Sequence, residues 1–163
     1  MNNLSLQSNC HEPALTNVFT ETLRKIGRFP LCAGGINIQQ VNLGYRCNLA
    51  CKHCHVQAGP QRTEMMAGED VASIIHILEN SAIKILDLTG GAPELHPDFR
   101  FLVTGARDIG CHVMVRSNLA IFFEPGQTDL PSFYSENGVE IVASLPYFRI
   151  ANVDAVRGNG VFA

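Results

Sequence analysis

Asn42-Leu43-Gly44-Tyr45-Arg46-Cys47-Asn48-Leu49-Ala50-Cys51-Lys52-His53-Cys54-His55 spells C-x3-C-x2-C at the exit of a β-type stretch running from Ile36 to Leu43. Three thiols within eight residues can converge on one face of a cubane iron–sulfur cluster. Each would bind one iron, leaving the fourth without a protein thiolate, and an open position is where a metal centre takes substrate or cofactor. Other readings of the same residues stand beside this one. Zinc could be held by the three thiolates plus His53 or His55, although structural zinc usually combines two separate knuckles and no second knuckle exists here. An electron-transfer cluster would want a fourth cysteine, for which Cys32 and Cys111 are the candidates. Cys10, Cys32 and Cys111 otherwise read as ordinary thiols.

Outward from the cluster, the apolar spacing alternates between helical and extended periods. Upstream, Phe19, Leu23 and Ile26 fall at i, i+4 and i+7 before Gly27, which predicts a short helix behind a loose tail at 1–14. Downstream, Val71, Ile74, Ile75 and Leu78 predict an amphipathic helix, and Lys84 to Thr89 a buried strand. Phe99, Leu102, Val103 and Ala106 mark the next helix, with Pro97 near its first turn and Gly110 past its end. A strand from His112 to Arg116, a short helix over 130–137 and a strand from Val139 to Ala143 complete the series. The order β-α-β-α-β-α-β predicts right-handed crossovers and a parallel α/β sheet covered by helices, either open or a partial barrel. Two regions follow: a tail with a short helix over 1–35 and a partial core domain over 36–163.

Bulk properties narrow the function classes. The chain has 163 residues, 46% of them apolar and 17% charged, which suits one compact core. A net charge of −3 with no Lys/Arg-rich run argues against a nucleic-acid partner. The polar N-terminus has no signal-peptide pattern and no apolar run is long enough to span a membrane, so a cytoplasmic location is expected. In a compartment that keeps thiols reduced, clustered cysteines point to metal rather than disulfides.

C-x3-C-x2-C after a first β-strand resembles the signature of the radical S-adenosylmethionine superfamily. The resemblance implies a partial (βα) barrel, a 4Fe–4S cluster on Cys47, Cys51 and Cys54, and S-adenosylmethionine as the second cofactor. It also implies a one-electron donor such as a flavodoxin or ferredoxin. The family's Gly-Gly-Glu-Pro motif appears as Gly90-Gly91-Ala92-Pro93, with Ala92 in place of the usual Glu. Glycines there let the backbone approach the methionyl ammonium closely. By the same resemblance, Ser117-Asn118 and Ser144 at the next two strand ends contact the carboxylate and ribose, or alternatively cap their strands. His53 stands where the family prefers an aromatic ring near the adenine, and it also reads as a satisfied local histidine. His55 reads as local structure.

QVNLGYRCNLACKHCHVQAGPQRTEMM, TGGAPELHPDFR and VASLPYF with NVDAVRGNGVF are similar to the arsenosugar-biosynthesis members of that superfamily. The similarity implies a methylated arsenical as the small-molecule substrate. Arg62, Glu64 and Arg157 lie in those stretches, on the expected active-site side or as loop salt bridges. Tyr147 departs from the pattern, because a cysteine is expected after Ser-Leu-Pro. Length departs further: the resemblance implies six βα units and the periodicity yields four strands, with the next helix expected to begin at Gly160-Val161-Phe162-Ala163. The expectation is therefore a shortened enzyme, a half completed by a separate C-terminal half, or a remnant that binds a cluster without turnover.

Overall fold

The structure, a computed structural model, describes residues 17–31 and 34–161. The expected tail at 1–14, Cys10 and Cys32 lie outside those residues. The chain divides into two compact units, Met1–Asn37 and Ile38–Ala163. In the first, helix α1 (Val18–Lys25) starts with a reciprocal capping box: Asn17 Oδ1 accepts from Thr20 N–H and Thr20 Oγ1 accepts from Asn17 N–H.

The second unit holds a parallel sheet in the order β1 (Ile38–Asn42), β2 (Ile85–Thr89), β3 (His112–Ser117) and β4 (Glu140–Ala143). Helices α2 (Gly68–Glu79), α3 (Phe99–Asp108) and α4 (Leu130–Glu136) occupy the three crossovers. Strand order that rises steadily keeps every crossover on the same side, as in a (βα) barrel, whereas a doubly wound sheet reverses direction. The fold is thus an α/β partial barrel.

Side-chain alternation explains why the sheet has two different faces. Val41, Leu86, Leu88, Val113 and Val115 point one way and are buried. They join Val71, Ile74 and Leu78 of α2 and Phe99, Leu102, Val103 and Ala106 of α3 in one core. Each side chain buried this way contributes about 1.5–3 kcal/mol. The opposite face carries Gln40, Asp87, Met114, Arg116 and the His112–Glu140 pair, whose Nε2 and Oε2 lie 2.7 Å apart.

Two expectations need correction. A helix over Ile150–Arg157, α5, lies where none was read, so the helix expected from Gly160 begins ten residues earlier. Only Val153 and Arg157 of α5 are buried, which is too few apolar positions to announce a period. Short 3₁₀ turns at Pro93–Leu95 and Ala120–Phe123 also escaped the pattern, being too short to repeat an apolar position.

Leu88 is fully buried on the helix-covered face. Leu88→Ala is expected to cost about 2–5 kcal/mol by leaving a cavity. Urea unfolding should show a lower midpoint with an unchanged slope; a shift equivalent to less than about 1 kcal/mol would mean that this face is not the core.

Candidate metal and cofactor site

The cysteine loop follows β1 and is fixed by backbone contacts on both sides. The segment after the cysteines returns along it: Tyr45 N–H donates to Glu64 O at 2.9 Å, Gly59 N–H to Tyr45 O at 3.1 Å, and Cys47 N–H to Gly59 O at 3.2 Å. On the other side stands the turn after β2. Gly91 N–H donates to Gly44 O and Ala92 N–H to Arg46 O, both at 2.9 Å. Gly90 adopts φ +149, and a Cβ there would lie 2.8 Å from Gly44 O. A Cβ on Gly91 would collide with the Arg46 carbonyl oxygen. Both glycines are therefore required by the approach of two backbones.

The three thiols open onto one cleft of about 430 Å3 at the carboxyl ends of the strands. Its walls include Gly90 and Gly91, Arg116, Ser117 and Asn118, Ser144, and Arg157. His53 and His55 line it from the loop itself. Ligand sites at strand carboxyl ends are the rule for parallel α/β folds.

Each sulfur has a defined setting. Cys47 is buried, and its Sγ accepts from Leu49 N–H at 3.4 Å and from Asn118 Nδ2 at 3.6 Å. Cys54 Sγ accepts from Ala58 N–H at 3.3 Å, while a tight turn places Cys54 N–H on Cys51 O at 3.1 Å. Burial pushes the Cys47 thiol up, opposed by the Leu49 N–H bond. Burial also pushes Cys51 up, opposed by the Arg157 guanidinium. Burial thus favours the protonated forms of Cys47 and Cys51, and a metal centre would displace those protons.

A single zinc ion needs all its donors within about 2.0–2.3 Å of one point. Among the described residues no group of three or more His, Cys, Asp or Glu gathers in that way. A cubane instead spreads its thiolates over separate irons, and three sulfurs around a roomy cleft, two of them with N–H donors, fit that group. Cys111 Sγ donates to Ile83 O at 3.6 Å and is buried in the core, so it is no fourth ligand to this loop.

The residues named from sequence are placed unequally. Gly90 and Gly91 line the cleft, whereas Ala92 and Pro93 are buried beside it. The Ala92 N–H bond to Arg46 O needs no carboxylate, so the turn forms without Glu. Asn118 faces the sulfurs and also donates from Nδ2 to Asn48 Oδ1 at 2.8 Å. Ser117 turns its hydroxyl to the buried side, where it accepts from Leu119 N–H at 3.2 Å. Ser144 O accepts from Arg157 Nη2. Arg157 Nη1 donates to Asn118 O at 3.0 Å, so this buried guanidinium staples the ends of β3 and β4. Its Nε is buried without a partner among the described residues. Arg62 and Glu64 instead pair with each other at 2.8 Å outside the cleft, and the guanidinium holds the Glu64 carboxyl down at about 2. Tyr147 is exposed and lines no part of the cleft.

Two residues near the site were missed. Arg116 lines the cleft and is treated below. Glu94 directly follows Pro93 and is buried: Tyr134 Oη donates to its Oε1 at 3.0 Å, and Oε2 has no partner among the described residues. Burial pushes its carboxyl up. An acidic residue next to a Gly-Gly turn was the available signal.

Two outcomes follow from this geometry. Gly91→Ala should sharply lower the iron bound per chain after reconstitution, while Gly59→Ala, which meets nothing within 4 Å, should leave it unchanged. Equal iron contents would mean that the close approach does not shape the loop. For Glu94, the folded state favours the protonated acid. Its stabilising contribution is complete below the unfolded pKa of about 4.3 and is lost as pH rises through the raised folded value. Glu94→Gln should therefore reduce the fall in Tm from about pH 5 upward; a fall identical to the parent chain's would refute the buried-acid reading.

Comparison with known proteins agrees with this geometry. The chain matches the model of the Radical SAM superfamily over residues 41–143. It is 32% identical over 122 residues to mycofactocin maturase MftC of Mycobacterium ulcerans, covering 74% of this chain and 32% of that protein. A probable GTP 3',8-cyclase of Saccharolobus islandicus is 28% identical over 71 residues, or 44% of this chain and 23% of the cyclase. The fold superposes on Streptococcus suis SuiB bound to S-adenosylmethionine with a TM-score of 0.63 and 12% identity, covering 87% of this chain and 32% of SuiB. SuiB bound to its precursor peptide SuiA gives 0.62 at 17% identity, covering 96% and 36%. The match spans about a third of the length of mycofactocin maturase and of SuiB and about a quarter of the cyclase. On the family model's match and the cysteine site that lies within it, the chain belongs to the radical S-adenosylmethionine superfamily.

Proposed function

We propose that this chain reductively cleaves S-adenosylmethionine at a 4Fe–4S cluster held by Cys47, Cys51 and Cys54. The observation that carries the reading is the convergence of those thiols and the Gly90-Gly91 turn on one cleft. When bound, the cluster supplies the electron that breaks a carbon–sulfur bond of S-adenosylmethionine and the open iron that chelates its methionyl group. The protein's share is to bind, orient and shield. Gly90 and Gly91 offer backbone without side chains to the methionyl ammonium. Asn118 and the strand end at Ser144 offer polar groups to the carboxylate and ribose, while Ser117 braces the end of β3 from the buried side, and His53 offers a ring to the adenine.

The substrate is a methylated arsenical on this reading, supported by the likeness of residues 40–66, 89–100 and 142–162 to arsenosugar-biosynthesis proteins. A flavodoxin or ferredoxin supplies the electron in the cytoplasm, where thiols stay reduced. Among the described residues, no helix is long and apolar enough to cross a membrane. A second reading is cluster binding without turnover, with the reaction supplied once a separate C-terminal half completes the barrel.

Anaerobic reconstitution with iron and sulfide should give a brown protein that, once reduced, converts S-adenosylmethionine to 5′-deoxyadenosine and methionine. Replacing any one of Cys47, Cys51 or Cys54 by Ala should abolish the product. A brown protein without product supports the second reading, and a colourless protein carrying zinc overturns both.

A further inference from the structure

The open face of the sheet holds a charged group beside the cysteine cleft. Asp87 on β2 is buried, its side chain only 4% exposed, and it faces away from the helices. Three donors converge on its carboxylate. Gln40 Nε2 donates to Oδ2 at 2.7 Å; Arg116 donates from Nε to Oδ1 at 3.0 Å and from Nη2 to Oδ2 at 2.8 Å. The Arg116 bonds hold the Asp87 carboxyl below the usual carboxylate range.

Arg116 itself is different. Its side chain is 47% exposed, and it lines the same cleft as the three cysteines. A guanidinium is a planar fork with two edges, each able to grip an oxyanion through two parallel N–H bonds. Here Asp87 fills the Nε–Nη2 edge. The Nη1–Nη2 edge has no protein partner among the described residues, because every bond Arg116 makes goes to Asp87 through Nε or Nη2. Arg157, the other guanidinium that lines the cleft, is committed to two carbonyls. A buried carboxylate backed by an amide thus locks one guanidinium at the wall of the cleft with an edge to spare.

The geometry points to Arg116 as the anchor for an oxyanionic group of the substrate, either a carboxylate or a tetrahedral oxo-acid, gripped by its Nη1–Nη2 edge. Calling that ligand the substrate rests on the radical reaction proposed above; the binding itself does not. The two ligand sources share their chemistry and differ in shape, planar against tetrahedral. Asp87 and Gln40 are positioning residues, because they act by holding the guanidinium.

The test is calorimetric titration of the whole chain, without iron or S-adenosylmethionine, using acetate, inorganic phosphate and dimethylarsinate in turn. At least one should bind saturably at millimolar concentration or below, and the tightest of the three identifies the shape preferred. Arg116→Gln should weaken that binding by about tenfold or more, the loss expected for a charge-assisted pair. Because the single change strands a buried carboxylate, the Asp87→Asn/Arg116→Gln double variant is measured beside it and should show the same loss with a cooperative melt. Arg100→Gln removes an exposed pair with Asp129 and should bind like the parent chain. No saturable binding of any probe overturns the assignment, as does a double variant that binds like the parent. Formation of 5′-deoxyadenosine is read separately, so failure of the anchor and failure of the radical reaction are distinguishable.

Discussion

The contact between the turn after β2 and the cysteine loop after β1 is the constraint on which the rest of the site depends. Two N–H groups, on Gly91 and Ala92, end on two carbonyls, on Gly44 and Arg46, at 2.9 Å each. Each bond contributes only about 0.5–1.5 kcal/mol net. Their importance lies elsewhere: the loop has no regular ladder of its own, and every buried polar group in it needs a partner. Residues 59–66 satisfy one edge of the loop and the Gly-Gly turn satisfies the other. Because the turn belongs to the sheet, the sulfurs inherit the rigidity of β1 and β2. Lys52 N–H adds a third tether, to Val156 O at 2.9 Å on α5.

That arrangement also fixes the electrostatics of the cleft. Burial raises Cys47 and Cys51, so the protonated thiols are favoured until a metal centre replaces the protons. The N–H groups of Leu49 and Ala58 and the amide of Asn118 already point at sulfur, where thiolate charge would sit after that exchange. Arg157 opposes the desolvation of Cys51 and ties two strand ends together, so one buried cation serves both charge and shape.

Much of this was legible in the sequence, and the parts that were not share a cause. The strands β2 and β3 and the helices α2 and α3 announced themselves by period, because one face of each is buried. The cysteines were legible because three ligands on one loop need no long-range information. Arg116 was invisible for the opposite reason. In HVMVR it reads as the polar phase of an alternating strand, and its meaning comes from Asp87, 29 residues away, through a register no local pattern contains. Ser117 was named for its position at a strand end, yet its hydroxyl faces the buried side, which alternation from Val113 and Val115 already dictated. Glu94 depends likewise on Tyr134 from α4, and α5 buries too little to leave a period.

The two faces of the sheet therefore follow different physical rules. On the helix-covered face, stability comes from apolar burial, and any well-packed hydrophobe of the right volume would serve. On the open face, Asp87 is a buried charge compensated by hydrogen bonds from two neighbouring strands. Such pairs are weak contributors to stability, since desolvation offsets most of the attraction, and apolar replacements of similar volume are often neutral or better. A stability argument thus gives little reason for Asp87 and Arg116 to stand where they do. A pre-oriented guanidinium is what the pair supplies that a hydrophobic pair could not, and it stands on the wall of the cleft that holds the cysteines.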